Sequence, residues 1–336
     1  MTMTHFLAHR VTTARVLPLL FLVIGHVLLT ACVGGTPAIP IEPPVTSWQT
    51  GRVIDVKTGQ SLDLPAFLTA LSRYDIVYLG EEHYNQHHIG AALTVLQAVL
   101  ANGRRPVLTM EMFGWDGQPA LDDYLSTPGQ DRQLFLDQAR WKQNWGGAFD
   151  NYEPLVNFSR EHRITLRAMN PPKPLIRQVV KAGLDEARKG QDWVEWGMDR
   201  EDIVDDQAYR VRILDQLKRC HGGGSDEDYV RMYEASMVRD EGMAKTVTAA
   251  LLTARQRPQD HTLILSYTGG GHIQFNLPIP KRVARRMDGQ VAQATVYLAS
   301  FDHTRIEDIQ DLVQDGIADY VWLTPISQQG PPHRCK

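Results

Sequence analysis

The residues best suited to chemistry lie in one stretch. Residues 75–88 read Asp-Ile-Val-Tyr-Leu-Gly-Glu-Glu-His-Tyr-Asn-Gln-His-His. An apolar run ends at Gly80. Glu81, Glu82 and His83 follow at once, then Tyr84, His87 and His88. Carboxylates and imidazoles are costly to bury unless paired. A cluster directly behind a core strand therefore points to proton transfer or ion binding rather than to packing. The pattern recurs. Residues 106–110 are largely apolar and run into Glu111. Residues 164–169 alternate around Arg167 and end at Asn170. Residues 262–267 are largely apolar and run through Thr268 and three glycines into His272.

One polar residue after a strand is ordinarily a helix cap or a solvated loop residue. Four such endings, two of them Gly-x-x-His, are harder to explain as caps. In open α/β sheets, ligands bind in the crevice outside the carboxyl ends of the strands. If the four strands are parallel neighbours, Glu81, Glu82, His83, Glu111, Asn170 and His272 converge on one rim.

The intervening segments supply the scaffold. Residues 51–63 read as a small hairpin and residues 65–72 as a short helix. Apolar residues at helical spacing from Ile89 to Leu100, with Gly103 after them, separate the first two core strands. A strand–helix–strand unit favours parallel pairing. The expected fold is α/β: a mainly parallel central sheet flanked by helices, in one domain over residues 51–325. Helical insertions are expected at about 114–160 and 185–255. Residues 192–206 read as a lid or insertion. Trp141, Trp145 and Tyr152 read as core packing or as a wall for a flat apolar ligand. The default for Arg239 is a surface ion pair, the alternative a partner for a site carboxylate.

The N-terminus carries Arg10 and Arg15, no acid before Glu42, and an apolar stretch over residues 16–29. This reads as a signal peptide over residues 1–31. Leu29-Thr30-Ala31-Cys32 resembles the bacterial lipobox, which implies lipidation of Cys32. A Gly/Pro-rich tether over residues 32–50 would follow, and residues 326–336 read as a loose tail. Val33, where Asp would favour inner-membrane retention, implies by resemblance to Gram-negative lipoproteins an outer-membrane destination. The net charge of −4 and the lack of a basic patch do not suggest nucleic acid. Cys220 and Cys335 are free to pair in an oxidising compartment. Neither Cys-x-x-Cys-His nor a zinc-finger spacing occurs.

Seven features occur in order. They are Gly80-Glu81-Glu82-His83; Glu111 within Met-Glu-Met-Phe; Trp141, Trp145 and Tyr152; Asn170-Pro171; Arg239-Asp240-Glu241-Gly242-Met243-Ala244; Gly269 to His272; and Ala318-Asp319-Tyr320-Val321-Trp322. Together they resemble the ChaN-like haem-binding lipoproteins, within the wider group of Tiki proteases and erythromycin-esterase-like proteins. The resemblance implies an outer-membrane lipoprotein of haem or iron acquisition. A homodimer and a haem-uptake receptor are possible partners under it. Haem iron accepts His or Tyr, and His83, Tyr84, His87, His88, Tyr267 and His272 are the candidates near the rim. In the Tiki branch two Gly-x-x-His motifs and a glutamate belong to a metal-dependent centre. That implies a divalent metal on His83, Glu111 and His272. Glu81 or Glu111 would then be the general base, and Arg239 would steady an oxyanion.

Overall fold

The computed structural model describes residues 48–328. Its strands are β1 (Val53–Asp55), β2 (Ser61–Leu62), β3 (Ile76–Glu81), β4 (Pro106–Gly114), β5 (Thr165–Asn170), β6 (Leu263–Gly269), β7 (Gln293–Ser300) and β8 (Tyr320–Thr324). They form one eight-stranded sheet in the order β2-β1-β8-β7-β3-β6-β4-β5. Every pairing from β8 to β5 is parallel, and the β1–β2 hairpin joins the other edge antiparallel. The fold is thus α/β, as the strand–helix–strand pattern predicts. The four strands with polar endings are consecutive neighbours: β3, β6, β4 and β5.

Helices cover both faces, which is why β3 and β6 are buried along their whole length and read as apolar runs rather than as alternation. Val77, Leu79, Leu108 and Leu265 join one core with the helix Gln86–Ala101. Ile76, Tyr78 and Ile264 join another with Met243, Val247 and Leu251 of the helix Asp226–Arg255. That long helix starts on a capping box, in which Ser225 and Asp228 bond each other's backbone N–H.

Three expectations are corrected. Asn85 caps the helix Gln86–Ala101 by accepting from the His87 N–H, so the helix begins before Ile89 and takes in His87 and His88. Strand β4 continues through Glu111 to Gly114, its register with β5 shifting between Met110 and Gly114. Residues 192–206, expected as a lid or insertion, are packed down in the structure. Trp193 and Met198 are buried with Leu175, Val179 and Val238, and Glu201 pairs with Arg286 and Lys245.

The signal peptide, Cys32, nearly all of the tether, most of the tail and Cys335 lie outside the described residues. Cys220 is disulfide-bonded, and the other two cysteines of the chain both lie outside the described residues. Among the described residues no helix is long and apolar enough to cross a membrane.

The long helix is fastened by a buried charge. Glu241 is fully buried and meets Arg282 at 3.2 Å and Arg285 and Arg286 at 2.9 Å, all from the helix Ile279–Arg286. Removing one member of such a group leaves the others buried without compensation. Glu241→Gln is expected to destabilise the protein by about 3 kcal/mol. The check is urea unfolding, and an unchanged midpoint would mean that solvent already screens the cluster.

Candidate functional site

Adjacent residues of a strand point to opposite faces, and Glu81 and Glu82 diverge accordingly. Glu81 turns into the core at the β3–β6 boundary. Its Oε1 accepts from the Tyr152 hydroxyl at 2.8 Å and lies 2.9 Å from His83 Nδ1, while its Oε2 accepts from the Tyr267 hydroxyl at 2.6 Å. Burial pushes the Glu81 carboxyl up, against the pull of these three partners. Burial opposes a proton on His83, but the hydrogen bond to Glu81 and the charges of Glu111 and Glu81 outweigh it, so His83 is also raised. The pair therefore holds its shared proton firmly, and His83 Nε2 is the nitrogen left free. Glu82 turns the other way, onto Ser300 of β7 and Asn85.

Glu111 leaves β4 in the stretch where the β4–β5 register shifts. Its Oε2 accepts from the Thr268 hydroxyl and the Gly269 N–H, both at 2.7 Å, and its Oε1 lies 3.2 Å from His272 Nε2. His272 Nδ1 lies 2.6 Å from Asp240 of the long helix, and Asp240 accepts from the Tyr209 hydroxyl at 2.5 Å. Burial disfavours a charged His272, but Glu111 and Asp240 overwhelm that cost and raise its pKa to about 10. Burial alone would raise the Glu111 carboxyl. The His272 charge and hydrogen bond, His83 and the Gly269 N–H instead hold it well below the usual carboxylate range. His272 is thus an imidazolium clamped between two carboxylates.

Gly269 is where the two halves meet. A Cβ there would lie 2.7 Å from His83 Cε1 and 3.5 Å from Glu111 Oε2, so only glycine lets His83 lie against the β6 backbone. Beside it opens a cavity of about 220 Å³, bordered by His83, Tyr84, Glu111, Trp145, Lys173 and Arg239, with Asn144 and Asn170 at its edge. The Trp145 ring meets His83 edge-on, with centroids 4.8 Å apart. Tyr84 has a left-handed backbone (φ 66°), its N–H donating to the Tyr152 hydroxyl. Asn170 donates to the Glu111 carbonyl.

Several sequence candidates stand apart. His88 is fully buried, accepts from the Glu82 N–H through Nδ1 and donates through Nε2 to the Thr324 hydroxyl. Burial, with His87 nearby, lowers its pKa to about 3. Tyr267 is buried and committed to Glu81, and His87 is exposed on the first helical turn away from the cavity lining. As placed, His83, Glu111 and His272 do not fit a shared metal. Both His272 nitrogens face carboxylates, and among the described residues no three His, Cys, Asp or Glu side chains are placed to hold one ion. Glu81, with three partners, orients His83 and is not placed as a base. Sequence reasoning missed the roles of Asp240, Tyr209 and Lys173. Asp240 sits beside Arg239 in a motif already noticed. Tyr209 and Lys173 carry no local signal.

A parallel sheet covered by helices, with a polar crevice at the carboxyl ends of its central strands, defines an α/β protein of the crevice-binding type. The chain belongs to the family described as haem-binding uptake, Tiki superfamily, ChaN, whose model matches residues 67–283. Among solved structures, ChaN of Campylobacter jejuni, described with cofacial haem binding, is similar at a TM-score of 0.60 and 15% identity. The match covers 80% of this chain and 95% of that one. An erythromycin esterase, EreC, in its open conformation gives a TM-score of 0.43 at 17% identity, over 76% and 77% of the two chains. No curated protein matches the chain.

The clamped imidazolium fixes the sign of a pH effect. The ordinary histidine pKa is 6.5 and that of folded His272 about 10, so between these values the native chain binds more protons than the unfolded one. The His272 contribution to stability is full below pH 6.5 and is lost as pH climbs through about 10. Asp240→Asn should lower the His272 pKa and shrink this loss. NMR titration of the imidazole is the check, and a His272 titrating near 6.5 in the unaltered protein would refute the clamp.

Proposed function

We propose that this protein binds haem across the mouth of the rim cavity. The observation that carries the reading is the aromatic edge formed there by His83, Tyr84 and Trp145, in a chain of a haem-binding family. A cavity of about 220 Å³ lies below the range of roughly 300–1,000 Å³ that encloses drug-sized ligands. The porphyrin would therefore lie over the mouth rather than inside it. A larger cleft of about 900 Å³ lies near the amino ends of β4 and β5, but of the side chains that serve as haem ligands it offers only His162. At the mouth, His83 keeps 42% of its side-chain surface and has its other nitrogen on Glu81, the arrangement that orients metal-bound histidines. Tyr84 is the other ligand within reach. A mouth-bound porphyrin leaves one face open, which suits transfer and a haem-bridged homodimer.

Lipidation at Cys32, outer-membrane anchoring and a place in haem or iron acquisition, with a receptor as partner, belong to the same reading. Haemin titration of the soluble chain should give a saturable Soret shift. His83→Ala or Tyr84→Phe, whichever removes the ligand, should weaken binding by at least about tenfold, or 1.4 kcal/mol. Undiminished binding in both variants would move the haem elsewhere.

A second reading, hydrolysis, is favoured by the Glu81–His83 pair. His83 Nε2 would take a proton from water while Arg239 faces the oxyanion that develops. Any ester turnover should fall by at least about a hundredfold in His83→Ala. Turnover that survives this change would assign the activity to another site.

A further inference from the structure

Among the described residues, the buried and half-buried cations other than Arg239 and Lys173 are partnered. Glu241 takes three arginines, Arg132 pairs with Asp150 and Glu153, and Lys245 pairs with Glu201. The cavity wall departs from this. Among the described residues, the half-buried side chains of Arg239 and Lys173 form no ion pair or hydrogen bond, and the Arg239 Nε–H is buried without an acceptor. Trp145, on the same wall, also has a buried indole N–H without an acceptor. Burial lowers the Lys173 pKa, and the nearby charges of Arg177 and Arg239 lower it further.

Like charges gathered around a cavity whose one lining acid is paired elsewhere cost free energy unless an anion joins them. The acids at hand are already engaged: Glu111 and Asp240 by His272, Glu81 by His83 and two tyrosines. The charged side chains that line the cavity, Glu111, Lys173 and Arg239, sum to one net positive charge before His83 is counted. The first turn of the helix Lys173–Ala182 borders the cavity and has no side-chain cap, which adds a favourable partial charge. The volume suits a group of a few heavy atoms.

We propose that this cavity is a binding site for a small oxyanion group, a carboxylate or a phosphate, held by Arg239 and Lys173 with the Asn144 and Asn170 amides at its edge. The occupant is either a propionate of a porphyrin lying over the mouth or a separate small molecule. The site itself needs no haem, so the inference goes beyond the haem-binding reading.

The test is titration of the haem-free soluble chain with inorganic phosphate and with propionate in low-chloride buffer, followed by calorimetry and by indole NMR of Trp145. Saturable binding of at least one probe, with a dissociation constant on the order of a millimolar, is expected. Arg239→Gln and Lys173→Gln should each weaken it by about tenfold. Lys173, at the cavity edge, keeps the test informative if Arg239→Gln fails to fold. Absence of saturation with either probe, or affinities unchanged in both variants, overturns the proposal. Haemin and its dimethyl ester then separate the sources. Competition between phosphate and haemin, with weaker binding of the ester, supports a propionate occupant. Simultaneous binding of phosphate and haemin supports a separate anion. Phosphate binding without haemin binding would keep this site and reject the haem reading.

Discussion

One partly buried imidazolium, held between two carboxylates, organises the rim. Glu111, His272 and Asp240 come from β4, from the turn after β6 and from the long helix, with Tyr209 behind Asp240. Each charge alone would be prohibitive at such burial, and together they satisfy one another. The group therefore acts as a cross-brace between sheet and helix at the place where a ligand would enter. Glu81 does the same for β3: two tyrosine hydroxyls from distant segments and His83 converge on one carboxylate. The resulting surface has its polar groups satisfied in depth and keeps its free valences, His83 Nε2 and the Arg239 and Lys173 cations, facing the cavity.

Close backbone approaches set the spacing of this brace. At Gly242 a Cβ would overlap the Pro171 ring, so the long helix lies directly on the chain leaving β5. That contact brings Arg239 and Asp240, three and two residues earlier, up to the ends of β4 and β6. Gly269 does the equivalent for His83. The chemistry of the rim thus depends on two positions where a side chain is missing as much as on those where one is present.

The strands, their parallel order and the convergence of Glu81, His83, Glu111, Asn170 and His272 were legible because doubly covered strands read as apolar runs and their ends as abrupt polarity. The partnerships were not. His272 meets Asp240, and Asp240 meets Tyr209, across about thirty residues in each case, and no local pattern encodes such pairings. His88 looked like a rim ligand because the Asn85 cap, which turns it inward on a helix, is a single residue. Lys173 escaped notice because Pro171-Pro172 reads only as a chain break. The metal reading of His83, Glu111 and His272 relied on residue types. As placed, both His272 nitrogens face carboxylates, and the three side chains form no shared site among the described residues.

The unlike fates of Glu81 and Glu82 bear on how the site endures sequence drift. One carboxylate orients His83 and the other laces β3 to Ser300 of β7. Because the side-chain period of a strand is two, a one-residue slip of β3 would displace both carboxylates from these duties. Glu82 would enter the tyrosine cradle, and His83 would turn to the opposite face. Strand β3 is paired along nearly its whole length with β6 on one side and β7 on the other. The central place of that strand is therefore a form of error correction: two neighbouring ladders must both be broken before either glutamate can leave its position.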